Sequence, residues 1–323
     1  MTLTRRKLIF GTGAMALCPS VPVCADTSTQ VLTGFAFGGT WRLVVPASAD
    51  PIIARYAVEA TAARIDAAMS PWRTDSEISN FNNSLKTGWH AISADIHAVV
   101  TEALAVSRLT TGAFDPTVGP LVARFGFGPI KGISGHLDAL ELGEPGLRKS
   151  RTGLTLDLCG IAKGYALDLT GRALRVSGIQ NALLEMGGEV LALGMHPTGR
   201  TWQVAIEQPG TGPFEVQRIV APGRFALATS GSVPQGYDGP HGTVSHLIDP
   251  QTGRPAQGAL ASVSVLAPTG CRADALATAL TVLGPQDGPA LARQMGIAAL
   301  FLTRTEVGFD EIMTAGFADH VLA

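Results

Sequence analysis

The sequence predicts an α+β fold in a single unit that can divide into two lobes. Three observations carry that reading. Apolar runs of strand length and amphipathic runs of helix length alternate irregularly, without the regular order of a doubly wound sheet. The 323 residues suffice for one large domain, or two modest ones, with a proper core. Glycine contributes 38 residues, about 12%, against a usual share of roughly 7%, which points to tight turns and close backbone approaches. With 46% hydrophobic and 15% charged residues, a disordered chain is excluded. Lys+Arg 24 against Asp+Glu 26 leaves net −2, so no basic footprint for nucleic acid is present.

The first 25 residues read as an address. Thr4-Arg5-Arg6-Lys7-Leu8-Ile9 is a twin-arginine pattern. The apolar stretch over residues 8–17 is shorter than the roughly 20 residues a membrane span needs. Val23-Cys24-Ala25 then forms a small-residue cleavage site. The expectation is export of folded protein by the twin-arginine route, cleavage after Ala25 and a periplasmic location. Cys18 offers a lipid anchor instead, but Leu17 before it suits a lipobox poorly. Cleavage removes three bases and no acid, so residues 26–323 carry net −5. Cys159 and Cys271 stay, without a Cys-x-x-Cys pair or zinc spacing, and a disulfide scaffold is excluded.

Residues 31–45 alternate weakly and read as a strand broken at Gly38-Gly39. Residues 51–69 have helical apolar spacing, with Pro51 suited to a first turn. Ser93 caps a second helix that runs to about Leu109. Residues 112–128 are punctuated by Gly and Pro and carry Phe114, Phe125 and Phe127. A short strand at 154–158 precedes a helix at 161–176. Strands follow at 182–186, 190–193, 202–206, 225–229 and 261–266, with residues 209–222 as a soft seam. A helix over 272–283 stops at Gly284-Pro285, and another helix (287–295) and a strand (298–303) close the series.

Familiar nucleotide and hydrolase signatures are missing. There is no G-x-x-x-x-G-K-[ST], Gly126-Phe127-Gly128 lacks the third glycine and a helix start, and no G-x-S-x-G elbow exists. Four other segments can carry chemistry. Asp274 and Thr278 lie four apart on one helix face, so their hard oxygens can converge on Mg²⁺. A helix-dipole acid and a self-bonded threonine explain the same pair. Asp157-Leu158-Cys159-Gly160-Ile161-Ala162-Lys163-Gly164 sits where a strand meets a helix. There glycine admits a ligand and Lys163 can meet phosphate, or Asp157 simply closes a turn. Thr111-Gly112-Ala113-Phe114-Asp115-Pro116-Thr117 can hold a heteroaromatic ring against Asp115, or form a capped turn. His246 lies beside apolar residues, as a base or a satisfied structural group, and Trp72 is a stacking platform or core.

The order of these segments resembles the ApbE family of flavin transferases. The matching stretches begin with Gly39-Thr40-Trp41, Asp75-Ser76-Glu77-Ile78-Ser79-Asn80-Phe81-Asn82 and the run from Thr111 through Pro116 to Leu121. Asp157-Leu158, Gly160-Ile161-Ala162-Lys163-Gly164-Tyr165-Ala166, Gly187-Gly188-Glu189 and Ala228-Thr229-Ser230-Gly231 follow. His246-Leu247-Ile248-Asp249-Pro250, Thr252-Gly253 and residues 273–280 complete a resemblance that spans about residues 31–310.

The resemblance implies a T-fold-like unit with an FAD site between its lobes. It also implies Mg²⁺-dependent transfer of FMN from FAD to a Thr or Ser hydroxyl of a target protein, with AMP leaving. The implied metal ligands are the Gly160 carbonyl, Asp274 and Thr278. The implied FAD contacts are Thr40, Trp72, Ala113, Phe114, Asp115, Asp157, Lys163 and His246. Trp72 stands where the family commonly has a stacking tyrosine. His246 is expected to take the acceptor proton with a near-neutral pKa, or to position the acceptor hydroxyl, and Asp274 is expected to be essential. Gly38, Cys159 and Ser232 depart from the family's usual methionine, small residue and acid. Cys159 and Cys271, one near each ligand segment, are expected to lie close enough for a disulfide. The implied acceptor is a flavoprotein of the membrane-bound electron-transfer kind facing the periplasm. FAD hydrolysis to FMN and AMP, or an exported flavin-binding module without chemistry, are the alternatives.

Overall fold

A computed structural model describes residues 28–210, 215–231, 237–239 and 242–323. The expected export segment, its cleavage site, Cys18 and Ser232 lie outside the described residues. Strands β1 (Thr29–Ala36) and β2 (Gly39–Pro46) form a hairpin whose turn residues Phe37 and Gly38 both have positive φ, 53° and 75°. That geometry matches the right-handed twist of the flanking strands. Helix α1 (Pro51–Met69) starts where Asp50 accepts from the Ile52 and Ile53 amides. Helix α2 (Glu77–Asn83), strand β3 (Gly88–His90) and helix α3 (Ala94–Leu109) follow, with Ser76 and Ser93 as caps. Next come helix α4 (Gly119–Arg124), strands β4 (Leu140–Gly143) and β5 (Gly146–Lys149), and helix α5 (Cys159–Val176).

The second half is strand-rich. It contains β6 (Ala182–Met186), β7 (Glu189–Leu193), β8 (Val204–Glu207), β9 (Val216–Val220) and β10 (Ala226–Gly231). The short strands β11 (Tyr237–Gly239), β12 (Gly242–Val244), β13 (Ile248–Asp249) and β14 (Arg254–Pro255) follow. β15 (Leu260–Ala267), helix α6 (Gly270–Met295), β16 (Ala298–Thr305) and β17 (Gly308–Thr314) complete it. One eight-stranded antiparallel sheet, ordered β1-β2-β6-β7-β10-β15-β16-β17, joins both halves of the chain. The α+β expectation holds.

Side chains alternate across each strand and give the sheet two different faces. Trp41, Leu184, Met186, Ala228 and Val263 pack with α1, α3, α5 and α6. Val190, Leu227 and Leu300 face the other way and pack under Ile206 of β8, Val220 of β9 and Phe317. Helices α5 and α6 meet at backbone distance: a Cβ on Gly164 would lie 2.1 Å from the Gly270 carbonyl oxygen. Asp168 of α5 also accepts from the Gly270 and Cys271 amides, at 2.7 and 3.0 Å, and so ties down the start of α6.

Two expectations on secondary structure are corrected. Residues 154–158 are not a strand. Leu154 makes one isolated bridge to Ile133, and the Asn82 amide bonds both the N–H and the C=O of Leu156, at 2.7 and 2.8 Å. A side chain supplies the partners that a ladder would have supplied. The seam at 209–222 contains β9, whose polar Gln217 and Arg218 hid its alternation and bond to Glu311 of β17.

Candidate active site

A cavity of about 1510 Å³ brings together most of the residues singled out from the sequence. Its floor is the junction of α5 and α6. Gly160 has non-helical φ/ψ of −85°/15° in the first turn of α5. A Cβ there would stand 3.2 Å from Thr278 Oγ1, so a side chain would crowd the hydroxyl. Asp274, one turn before Thr278, is buried and its Oδ2 accepts from the Gly164 amide at 3.0 Å. Gly160, Asp274 and Thr278 therefore converge: helical spacing predicted the Asp274–Thr278 pair, and the family resemblance implied Gly160 beside it.

Lys163 reaches the same floor and pairs with Glu189, the first residue of β7. Burial lowers the pKa of the Lys163 ammonium, but the Asp274 and Glu189 carboxylates more than reverse this, so it stays charged. Burial pushes Glu189 up against the pull of Lys163, and it raises Asp274 against Lys163 and the Gly164 amide. Glu189 Oε2 is buried and has no hydrogen-bond partner. Two buried carboxylates thus face one ammonium, an imbalance that a cation would relieve. Among the described residues no group of three His, Cys, Asp or Glu is set to hold a metal. The oxygen set of Gly160, Asp274 and Thr278 nevertheless suits a hard ion such as Mg²⁺ better than zinc.

The rim of the cavity is built from turns. Trp72 is 67% exposed with its indole on the cavity, as a stacking platform requires. Ala113 and Phe114 are buried in the wall, and Asp115 holds the following turn by accepting from the Thr117 amide and hydroxyl, both at 2.7 Å. Asp157 lines the cavity and accepts from the Cys159 amide at 3.0 Å. The turn reading and the ligand reading thus coexist at Asp115 and Asp157.

His246 is partly buried at the rim with Phe127 edge-on, ring centroids 6.2 Å apart, and its Nδ1 has no partner. Burial, reinforced by the Lys163 charge, pushes it down to about 4. This corrects the near-neutral expectation: His246 is a neutral imidazole over the whole physiological range.

Two sequence expectations end elsewhere, and one residue was missed. Thr40 is outside the cavity lining: its carbonyl accepts from the Gly187 amide at 3.2 Å, while Phe37, Gly38 and Arg42 around it line the space. Cys159 and Cys271 are both free thiols. Cys159 opens onto the cavity, whereas Cys271 is buried in the helix-side core, so neighbouring positions in the fold do not make a bridge. Glu189 was quoted only as part of a motif. A buried carboxylate with a lysine partner 26 residues away leaves no local sequence signal.

The sequence profile of the ApbE family matches residues 37–301. The chain belongs to the ApbE family. Among its ApbE relatives, the FAD:protein FMN transferase of Vibrio cholerae is 35% identical over 313 residues, 91% of this chain and 93% of that one. The FAD:protein FMN transferase of Salmonella typhimurium is 34% identical, covering 100% of this chain and 99% of that protein. The solved flavin transferase ApbE from Vibrio cholerae superposes with a TM-score of 0.82 at 35% identity, covering 90% of this chain and 99% of its own. The apo flavinyl transferase ApbE of Pseudomonas stutzeri gives 0.80 at 32% identity, covering 91% and 97%. In this ApbE protein, most of the family-matched segments line the cavity, while Gly39-Thr40-Trp41, residues 75–82 and Thr252-Gly253 stand outside its lining.

Proposed function

We propose that this enzyme is an FAD:protein FMN transferase that works with Mg²⁺ on a Thr or Ser hydroxyl of a protein acceptor. The observation that carries the reading is the convergence of Gly160, Lys163, Asp274 and Thr278 on the floor of a cavity with an aromatic rim. A pyrophosphate needs cationic and hard-ion neutralisation, and a flavin needs a stacking surface. Trp72 and Phe114 offer faces for the rings, and Lys163 offers an ammonium to the phosphates. Gly160, Asp274 and Thr278 would hold the ion. When bound, Mg²⁺ would supply neutralisation of charge that builds on the leaving phosphate.

The acceptor oxygen forms a bond to the phosphorus of the FMN half while the bond from that phosphorus to the bridging oxygen breaks. AMP keeps the bridging oxygen. His246, neutral and with an unpartnered Nδ1, takes the proton released by the acceptor hydroxyl. Lys163 stays protonated throughout because two carboxylates hold it so.

The acceptor is read as a membrane-bound electron-transfer protein facing the periplasm. The twin-arginine pattern at Arg5-Arg6 supports export to the same compartment. The test is incubation with FAD, Mg²⁺ and an extract of the source cells, followed by peptide mass spectrometry. The expected result is one FMN mass on a Thr or Ser of a particular protein, with one AMP released per adduct. AMP formed at the same rate without any protein acceptor would make the enzyme an FAD pyrophosphatase instead.

A further inference from the structure

The cavity extends beyond the α5–α6 floor. It rounds the Gly187-Gly188 turn between β6 and β7 and continues over Leu183, Glu185 and Val190. Leu184 and Met186, the residues between and beside these, belong to the helix-side core. By alternation, this second arm lies on the opposite face of the large sheet. Its outer wall is the run 203–210, eight consecutive residues that all line the cavity. A strand showing a face would contribute every second residue; an unbroken run shows an edge.

That edge is open. β8 pairs with β9 along one side, and among the described residues it has no main-chain partner along the other. The Gln208 amide donates to the Glu215 carbonyl at 2.8 Å, toward the β9 side. Ile219, opposite Ala205, spends its N–H and C=O on Ala323 and Leu322. Val204 and Ile206 therefore bond toward β9, and Ala205 turns its N–H and C=O to the open side. The register slips between Ile206 and Glu207, but the extra residue is on β9, so β8 keeps its alternation and Glu207 also faces outward. Free edges usually need cover or charge, because they are templates for another strand.

We propose that the acceptor polypeptide docks here, with its hydroxyl-bearing segment added as an extended strand to the free edge of β8. This rests on the transferase reading above. The segment lies over Leu183 beside β8, which with β9 covers Val190 and Leu227, passes Gly187-Gly188, and delivers its hydroxyl to the floor that holds Lys163 and Asp274. Three facts select this occupant. The arm is continuous with the reaction centre, so a chain bound there can reach the phosphorus. The volume of about 1510 Å³ exceeds the roughly 300–1,000 Å³ of a pocket for one small molecule, leaving room for a second reactant. Main-chain bonding supplies affinity independent of sequence, while Leu183 and Glu185 on the arm's floor offer one apolar and one acidic contact to the guest's side chains.

Ala205→Pro tests the idea on the full-length enzyme. Ala205 is exposed, and proline is tolerated on an edge strand where its missing N–H faces outward, so pairing with β9 should survive. The probe is the acceptor domain that carries the FMN mass in the assay above. Its kcat/KM should fall at least tenfold, while the Kd for FAD, read by flavin fluorescence, stays within twofold. Transfer equal to wild type would overturn the proposal. If the variant also loses FAD binding, hydrogen exchange on the wild-type enzyme decides. Slowed exchange at Ala205 and Glu207 on adding the acceptor domain supports the docking strand, and unchanged exchange overturns it. Failure of the underlying reading looks different, because the wild-type enzyme would then move FMN to no protein at all.

Discussion

The floor and the rim of the cavity are built on opposite principles. At the floor, charged groups are buried and fixed by backbone: Asp274 on the Gly164 amide, Asp168 on the Gly270 and Cys271 amides, and two glycines at contact between helices. At the rim, Trp72 is exposed, and Asp115 and Asp157 hold turns with short-range hydrogen bonds. Groups that meet phosphate and metal need fixed positions in low dielectric, where misplacement is costly. Groups that meet a planar ring need only a surface at the right height. Substitutions at the floor should therefore be far more damaging than those at the rim.

Asp274→Ala should break the floor most completely. It removes the only carboxylate of the proposed ligand set, and transfer should fall by at least about 100-fold, the scale of a lost electrostatic anchor. Far-UV circular dichroism should stay native, because the Asp274 carboxylate ties down a single helix amide, that of Gly164. Normal transfer by this variant would remove Asp274 from the site. Gly164→Ala comes next. Its methyl would stand 2.1 Å from the Gly270 oxygen and force α5 from α6, costing about 1–3 kcal/mol of stability in denaturant titration. Transfer should drop with it, since Gly160 and Lys163 ride on α5 while Asp274 and Thr278 ride on α6.

The same division explains what could be read from the sequence. Helices α1, α3, α5 and α6 declare themselves by caps, spacing and the Gly284-Pro285 stop; Gly284 indeed breaks α6 with φ 77°. Asp274 and Thr278 were legible because a helix fixes residues four apart. The ordered motifs placed Ala113, Phe114, Asp115, Asp157 and Lys163 around one cavity. Glu189 as a partner of Lys163, the Asn82 clasp on Leu156 and the open edge of β8 were not legible. Each depends on contacts between distant segments or on which side of a strand lacks a neighbour, and neither leaves a local pattern. The Cys159–Cys271 expectation failed for the same reason: nearness of segments does not fix where each thiol is buried.

His246 gives a pH test at the boundary of floor and rim. Its folded pKa, about 4, lies below the ordinary histidine value of 6.5, so the unfolded chain takes up the proton first as pH falls. In the enzyme without ligands the His246 contribution should be complete above pH 6.5. From 6.5 down to 4 the enzyme should lose on the order of 3 kcal/mol through this group. His246→Gln should flatten that part of the stability curve in urea unfolding. An equal slope in the variant would mean that other groups set it.

The smallest effects belong to the rim, and they separate two residues that the family resemblance treats alike. Trp72→Ala removes an exposed indole from the cavity wall and should weaken FAD binding by about 1 kcal/mol, roughly fivefold in Kd. Thr40→Val should change it by less than twofold. Thr40 acts through its main-chain oxygen, which holds the Gly187 amide, and a valine on β2 keeps that bond and the strand. Fluorescence titration of both variants measures the contrast directly. A larger loss from Thr40→Val than from Trp72→Ala would show that the threonine hydroxyl reaches the flavin, and that β2 shifts toward the cavity when FAD binds.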